Sequence, residues 1–266
     1  MTEAIPDRLD AGDGDARRTL AVLRRSGTAP GLFWLGGYRS DMAGGKATAL
    51  DAYGAGRGLA VTRFDYSGHG QSGGDFLAGT ISRWLEEALA VFATTSGPQV
   101  VIGSSMGGWL ALLLNRALRA AGDERVKALI LIAPAVDMTE DLMRAGFTRK
   151  ERQALESAGV VHQPSDYGAP YPITRGLIED GRQHLMFGKG IVTGCPVTIL
   201  QGGRDKDVPR EHAMKLVQHL LADPVTFTLV PDGDHRLSRD EDLQLLERAV
   251  AKAVDEAVPQ QGALEV

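Results

Sequence analysis

A serine hydroxyl is a poor nucleophile until a base takes its proton and an acid holds that base in the right tautomer. The serine best placed for such help is Ser105, in Gly103-Ser104-Ser105-Met106-Gly107. A β-branched apolar run ends just before it at Ile102, and an apolar segment of helical length follows. Gly-x-Ser-x-Gly between a strand and a helix predicts a nucleophile elbow. The turn strains the serine backbone, and bulk two residues to either side would clash. Around such an elbow the chain order is serine, acid, histidine, each on a loop after a strand. Of six histidines, His69 comes too early, and His162 and His184 lie in a region without strong strands. His212 and His219 share one helical stretch and read as a partly exposed face. His235, in Pro-Asp-Gly-Asp-His after the apolar run 225–230, has both order and loop. The loop at 202–209 offers Asp205 and Asp207, and spacing does not choose between them. Asp137 is a third candidate acid. An oxyanion needs buried N–H donors. The backbone of Met106 follows the nucleophile, and Gly36-Gly37 lets the backbone of Tyr38 approach. The chemistry is acyl transfer; nothing in it calls for a cofactor or a metal.

These residues need strands that end together. Apolar runs at 31–35, 59–64, 99–102, 126–133, 197–200 and 225–230 alternate with helical stretches at 42–53, 81–92, 209–221 and 239–257. Strands with so few polar positions, separated by helices, predict a mostly parallel sheet covered on both faces, an α/β fold. Residues 19–23 read as an early edge strand and residues 1–18 as loose. Glycines 54, 56 and 58 are expected to end the first helix. Between about 137 and 194 the rhythm breaks into helical pieces, such as 148–157 and 173–187, with no strong strand. That is too long for a connection and predicts a cap over the carboxyl edge of a single domain spanning 1–266.

At 266 residues, 43% apolar, the chain can bury a full core, and its net charge of −5 gives no reason to expect nucleic acid or an anionic membrane as partner. No stretch has the apolar length of a transmembrane helix. One cysteine, Cys195, excludes an internal disulfide and reads as packing. The acid-rich N-terminal stretch lacks an apolar signal core and resembles no transit peptide, so a cytoplasmic location is the expectation.

With the residues placed, the chain from about 30 to 257 resembles the α/β-hydrolase superfamily. Within it, the chain is similar to small acyl-thioesterases and esterases of the palmitoyl-protein thioesterase and acyl-glucuronide esterase group. The stretches that carry the likeness are GGYRSDMAGGKA, RFDYSGHGQSGG, GSSMGGWLALL, GGRDKDVP and DGDHR. The resemblance implies Ser105 as nucleophile and His235 as base. Its pattern His-Gly-x-x-Asp-x-x-Val-Pro, laid on 201–209, selects Asp205 as the acid. Gln201 replaces that pattern's histidine, and Gly36 replaces a common histidine or proline. Neither position is expected to do chemistry, and His69 is expected to be a turn or pocket residue.

The expected function is therefore hydrolysis of small to medium acyl esters or thioesters, on small molecules or acylated proteins, through an acyl-enzyme on Ser105. An acyltransferase or peptidase would use the same triad, and a ligand-binding protein on this scaffold would usually lack one member. Met143, Phe147, Tyr167, Tyr171, Leu185 and Phe187 are expected to form mostly the cap's own core. Arg144 and Arg175 read either as cations that a substrate carboxylate would meet or, as is usual for exposed helical arginines, as solvated side chains.

Overall fold

Side-chain alternation along the central strands decides which layer each residue joins. In β3 (Thr28–Leu35), Leu32 and Trp34 face one core and Phe33 and Leu35 the other. In β5 (Gln99–Ser104), Val100 and Ile102 oppose Val101, and in β6 (Val126–Ile132), Ala128, Ile130 and Ile132 oppose Leu129 and Leu131. A strand apolar on both sides needs helices on both faces. Helices α1 (Gly45–Arg57) and α7 (Asp240–Ala257) cover one face. Helices α2 (Ile81–Ala93), α3 (Met106–Ala120) and α6 (Arg210–His219) cover the other.

The computed structural model describes residues 5–164 and 170–257. With β1 (Asp7–Ala11), β2 (Arg18–Arg25), β4 (Leu59–Phe64), β9 (Val197–Gly202) and β10 (Val225–Val230), the sheet has the order β1-β2-β4-β3-β5-β6-β9-β10. All neighbours from β4 to β10 are parallel, while β2 runs antiparallel to both β1 and β4. The expected α/β architecture is present, and every loop named for chemistry leaves the same edge of the sheet.

Three expectations need correction. Residues 7–11 are an ordered edge strand, so β2 is the second strand and not the edge. A solvent-facing antiparallel edge needs only alternate apolar residues, and Leu9 and Ala11 supply them. The first helix runs through Gly54 and Gly56 and ends only at Gly58, in the left-handed region at φ 66°. The segment between β6 and β9 is not all helical. It holds α4 (Arg149–Ala158), α5 (Arg175–Gly181) and an antiparallel hairpin of β7 (Val160–Gln163) with β8 (Tyr171–Thr174). A four-residue ribbon containing Pro172 carries too little periodicity to be read as a strand. Thr148 and Glu151 form a reciprocal capping box on α4, and Thr174 caps α5 through the N–H of Leu177. Phe147, Leu155, Val161, Ile173 and Ile178 make a separate small core there. Among the described residues, no helix is long and apolar enough to cross a membrane.

Candidate active site

Ser105 sits alone between β5 and α3 at φ 55°, ψ −118°. Such a conformation costs about 1–3 kcal/mol and persists only where its surroundings enforce it. The enforcement is visible. The Ser105 N–H donates to the Ile132 carbonyl at 2.8 Å, and its carbonyl accepts from Gly108 and Ala135. A methyl at Gly103 would lie 2.2 Å from the Gly107 carbonyl oxygen, and one at Gly107 2.1 Å from that of Leu35. Both elbow glycines are therefore required by close approach of backbone, as the spacing predicts.

His235 Nε2 lies 3.1 Å from Ser105 Oγ, and His235 Nδ1 lies 2.8 Å from Asp205 Oδ2. The Asp205 side chain is fully buried and that of His235 is 16% exposed. The other Asp205 oxygen accepts the N–H groups of Asp207 and Val208 at 2.9 and 2.8 Å. The loop thus folds back on Asp205, leaving Asp207 exposed. Both carboxylates lie near the histidine, and it is Asp205 that accepts the hydrogen bond at His235 Nδ1. Gln201, buried below, shares its amide N–H groups among the carbonyls of Gly202 and Val208 and Asp205 Oδ2 at 3.0–3.2 Å. It braces the acid loop, a role spacing alone did not suggest. Among the described residues, Asp205, Asp207 and His235 are the one acid–histidine group compact enough for a metal ion. Asp205 is committed to His235, to the Gln201 amide and to two backbone N–H groups, which suits an orienting acid.

On the opposite side, a methyl at Gly37 would stand 3.4 Å from Ser105 Cβ, so the loop after β3 runs against the nucleophile. Tyr38 follows, and Met106 opens α3, whose first N–H groups have no intrahelical acceptor. The Tyr38 hydroxyl donates to the Pro172 carbonyl of β8, and burial raises its pKa. Arg39, at φ 58°, is held from two directions. Its guanidinium donates to the Pro170 carbonyl, and its backbone N–H donates to His69 Nε2 at 3.1 Å. The His69 Nδ1 lies 3.1 Å from the Ser67 carbonyl, and the ring packs among Tyr66, Phe76 and Trp84. His69 is thus a positioning residue for the Tyr38 loop, which sequence reasoning took for a turn or pocket residue.

Burial lowers the His69 pKa from its ordinary 6.5 to about 4, opposed by the Ser67 carbonyl. Between those values the unfolded chain binds a proton that the folded chain does not. Stability therefore rises with pH through this window and is lost as pH falls from 6.5 toward 4. Going from pH 7 to pH 5 is expected to remove about 2 kcal/mol through this group. Urea unfolding should show that loss, and His69→Gln should remove most of it, leaving the slope from His184 and His212, which burial also lowers. An unchanged slope in the variant would contradict the assignment.

Two cavities meet at Ser105 and His235. One, of about 500 Å³, is walled by Tyr38, Arg39, Asp41, Lys46, Arg236 and Ser238 among others. The other, of about 160 Å³, is walled largely by Ala135, Met138, Leu142, Met143, Ile173 and Val208. Of the residues expected in the cap's core, Phe147 is there and Met143 packs against it while also lining the smaller cavity, and Tyr171 lines cavity walls. Phe187 packs on His212 and His219, Leu185 is partly exposed, and Tyr167 lies outside the described residues. Arg144 pairs with Glu140, and Arg175 reaches the Glu156 carbonyl and Glu179, so neither walls the site. Asp137 accepts the N–H groups of Met186 and Phe187 and serves as a staple for that segment. His212 is buried against the Val136 carbonyl and not on an exposed face. Cys195 is buried, which pushes its thiol up to about 11.

Residues 45–175 match the family described as serine aminopeptidase, S33. The mouse protein named palmitoyl-protein thioesterase ABHD10, mitochondrial, is 34% identical over 241 residues, covering 89% of this chain and 79% of its own. The crystal structure of a putative hydrolase from Agrobacterium vitis S4 matches with a TM-score of 0.91 at 47% identity, over 95% of this chain and 100% of that one. The structure of mouse alpha/beta hydrolase domain-containing protein 10 matches with a TM-score of 0.83 at 30% identity, over the same shares. By sequence and by fold, the chain belongs to the ABHD10 palmitoyl-protein thioesterase family of α/β-hydrolases.

Proposed function

We propose that the protein is a serine esterase or thioesterase in which Ser105 is the nucleophile, His235 the base and Asp205 the orienting acid. The observation that carries this reading is the unbroken hydrogen-bonded line from Asp205 through His235 to Ser105, opening on both cavities. Ser105 Oγ bonds to the acyl carbon while His235 takes its proton, and the oxyanion rests on the backbone N–H groups of Tyr38 and Met106. The carbon–oxygen or carbon–sulfur bond then breaks, and His235 returns the proton to the departing alkoxide or thiolate. Water, activated by the same histidine, releases the acid and restores Ser105. Residues 137–194 act as a cap on one hydrolase domain.

The substrate is an acyl ester or thioester, carried on a small molecule or on an acylated protein; the second is supported by the name of the mammalian relatives. A cytoplasmic place belongs to this reading and is supported by the single, packed thiol of Cys195. The mammalian relatives, by contrast, carry the word mitochondrial in their names. The test of the catalytic reading is turnover of p-nitrophenyl butyrate and a butyryl thioester by the wild type, with loss of both when Ser105 becomes alanine.

A further inference from the structure

Tyr38 and Arg39 are the middle residues of a four-residue turn beside the nucleophile. The Ser40 N–H closes it on the Gly37 carbonyl at 3.1 Å, and Ser40 Oγ donates to the same carbonyl at 2.8 Å. Arg39, third in the turn, stands at φ 58°. Positive φ at that position is ordinarily left to glycine or asparagine, because a Cβ disfavours it. The form with negative φ there suits arginine better, and rotating one peptide, the one joining Tyr38 to Arg39, produces it. The observed turn therefore needs a hold on that peptide. The bonds from the Tyr38 hydroxyl to Pro172 and from the Arg39 guanidinium to Pro170 act at the ends of long side chains and do not set its direction. His69 touches the peptide itself, for its Nε2 accepts the Arg39 N–H at 3.1 Å. Its Nδ1 faces the Ser67 carbonyl at 3.1 Å, which places the ring proton there and leaves a lone pair on Nε2. Rotated, the peptide would turn the Tyr38 carbonyl toward that lone pair, acceptor against acceptor. The ring is 4% exposed, so bulk water does not relieve that encounter.

We propose that His69 is a positioning residue for the reaction itself: through the Arg39 N–H it holds the turn 37–40 in the form that presents the Tyr38 N–H to the oxyanion. This rests on Ser105 being the nucleophile and on that N–H being a donor. The peptide that would rotate shares the Tyr38 Cα with the donor N–H. The residue before it runs against the nucleophile, since a Cβ on Gly37 would stand 3.4 Å from that of Ser105. A donor is useful only where charge develops, and a misplacement of about 1 Å in such a site costs on the order of a hundredfold in rate. The ring also fills space, with its centroid 5.0–5.7 Å from those of Tyr66, Phe76 and Trp84. The two roles call on different atoms. Packing needs a ring, and the hold on Arg39 needs an acceptor at the Nε2 position.

Two variants separate these roles. His69→Phe keeps a ring among the same aromatic neighbours and removes the acceptor; the Ser67 carbonyl still accepts from Trp84 Nε1. His69→Gln removes the ring and returns an amide oxygen to the reach of the Arg39 N–H. Each is compared with the wild type in kcat and KM on p-nitrophenyl butyrate and in inhibition by n-propyl trifluoromethyl ketone. That ketone takes the Ser105 Oγ on its carbonyl carbon, the hydroxyl proton passing to His235, and so carries an oxyanion where the reaction does. His69→Phe is expected to lower kcat about 30-fold with KM changed less than about threefold, and to weaken the ketone by about the same 30-fold. His69→Gln should keep kcat and ketone affinity within about fivefold of the wild type. A role in packing alone predicts the reverse ranking, with the phenylalanine variant near wild type and the glutamine variant impaired, and that ranking would overturn the proposal. So would a fall in kcat for His69→Phe with ketone affinity unmoved. If His69→Phe does not fold, the glutamine variant decides, and a kcat more than about tenfold below the wild type overturns the proposal. A folded wild type that turns over no butyryl ester would overturn the nucleophile assignment on which this rests, whereas an active wild type matched by His69→Phe overturns the role of His69 alone.

Discussion

Ser105→Ala is expected to lower kcat on p-nitrophenyl butyrate by about 10⁵- to 10⁶-fold, to a rate set by positioning alone. The fold should survive. Ser105 Oγ makes its hydrogen bond to a histidine already held from the other side by Asp205, so its loss leaves His235 anchored. The elbow strain belongs to the backbone, and alanine inherits it unchanged at φ 55°. An unaltered thermal midpoint with lost turnover is therefore the expected pair of results. Loss of both would indicate a structural serine, and loss of neither would remove Ser105 from the chemistry.

Asp205→Asn carries the second-largest expected effect, a fall in kcat of about 10³- to 10⁴-fold. An asparagine amide can present a donor to His235 Nδ1, which favours the tautomer with Nε2 protonated and unable to accept from Ser105. The two N–H groups of Asp207 and Val208 can still reach the amide oxygen, so the loop should hold. Asp207→Asn is the matched control, with an expected change below about tenfold. Steady-state kinetics on the two variants separates the carboxylates, and the reverse ranking would reassign the acid.

The control matters because those two aspartates are where sequence spacing ran out. Both lie between β9 and α6, and only the fold-back of the loop onto Asp205 excludes Asp207. That fold-back depends on Gln201 from the strand below, and family resemblance had selected Asp205 without a physical reason. Elsewhere the readable part was whatever repeats locally. The near-continuous apolar runs of β3, β5 and β6, separated by helical stretches, gave the layers, and the glycines around Ser105 gave the elbow. The unreadable part was tertiary. The Arg39 N–H meets His69 across thirty residues, and Tyr38 ties to Pro172 across 134. Neither contact has a sequence period. The edge strand β1 and the β7–β8 hairpin were missed for a related reason. Each is short and half polar, and becomes a strand only because a partner supplies its hydrogen bonds.

Among these contacts, the bonds from Tyr38 and Arg39 to residues 170 and 172 join the oxyanion side of the site to the hairpin above it. His69 holds the same loop from below. The donor proposed for the oxyanion is thus fixed by elements on both sides of the cavity, as preorganised stabilisation requires.

The central claim is that Ser105, and no other residue, carries the acyl group. Its most direct test is covalent labelling of the folded protein with a fluorophosphonate, followed by intact mass and peptide mapping. One adduct per chain on Ser105 is predicted, absent from Ser105→Ala and strongly slowed in Asp205→Asn. A folded protein that hydrolyses butyryl esters yet takes no adduct, or takes it on another residue, would contradict the account.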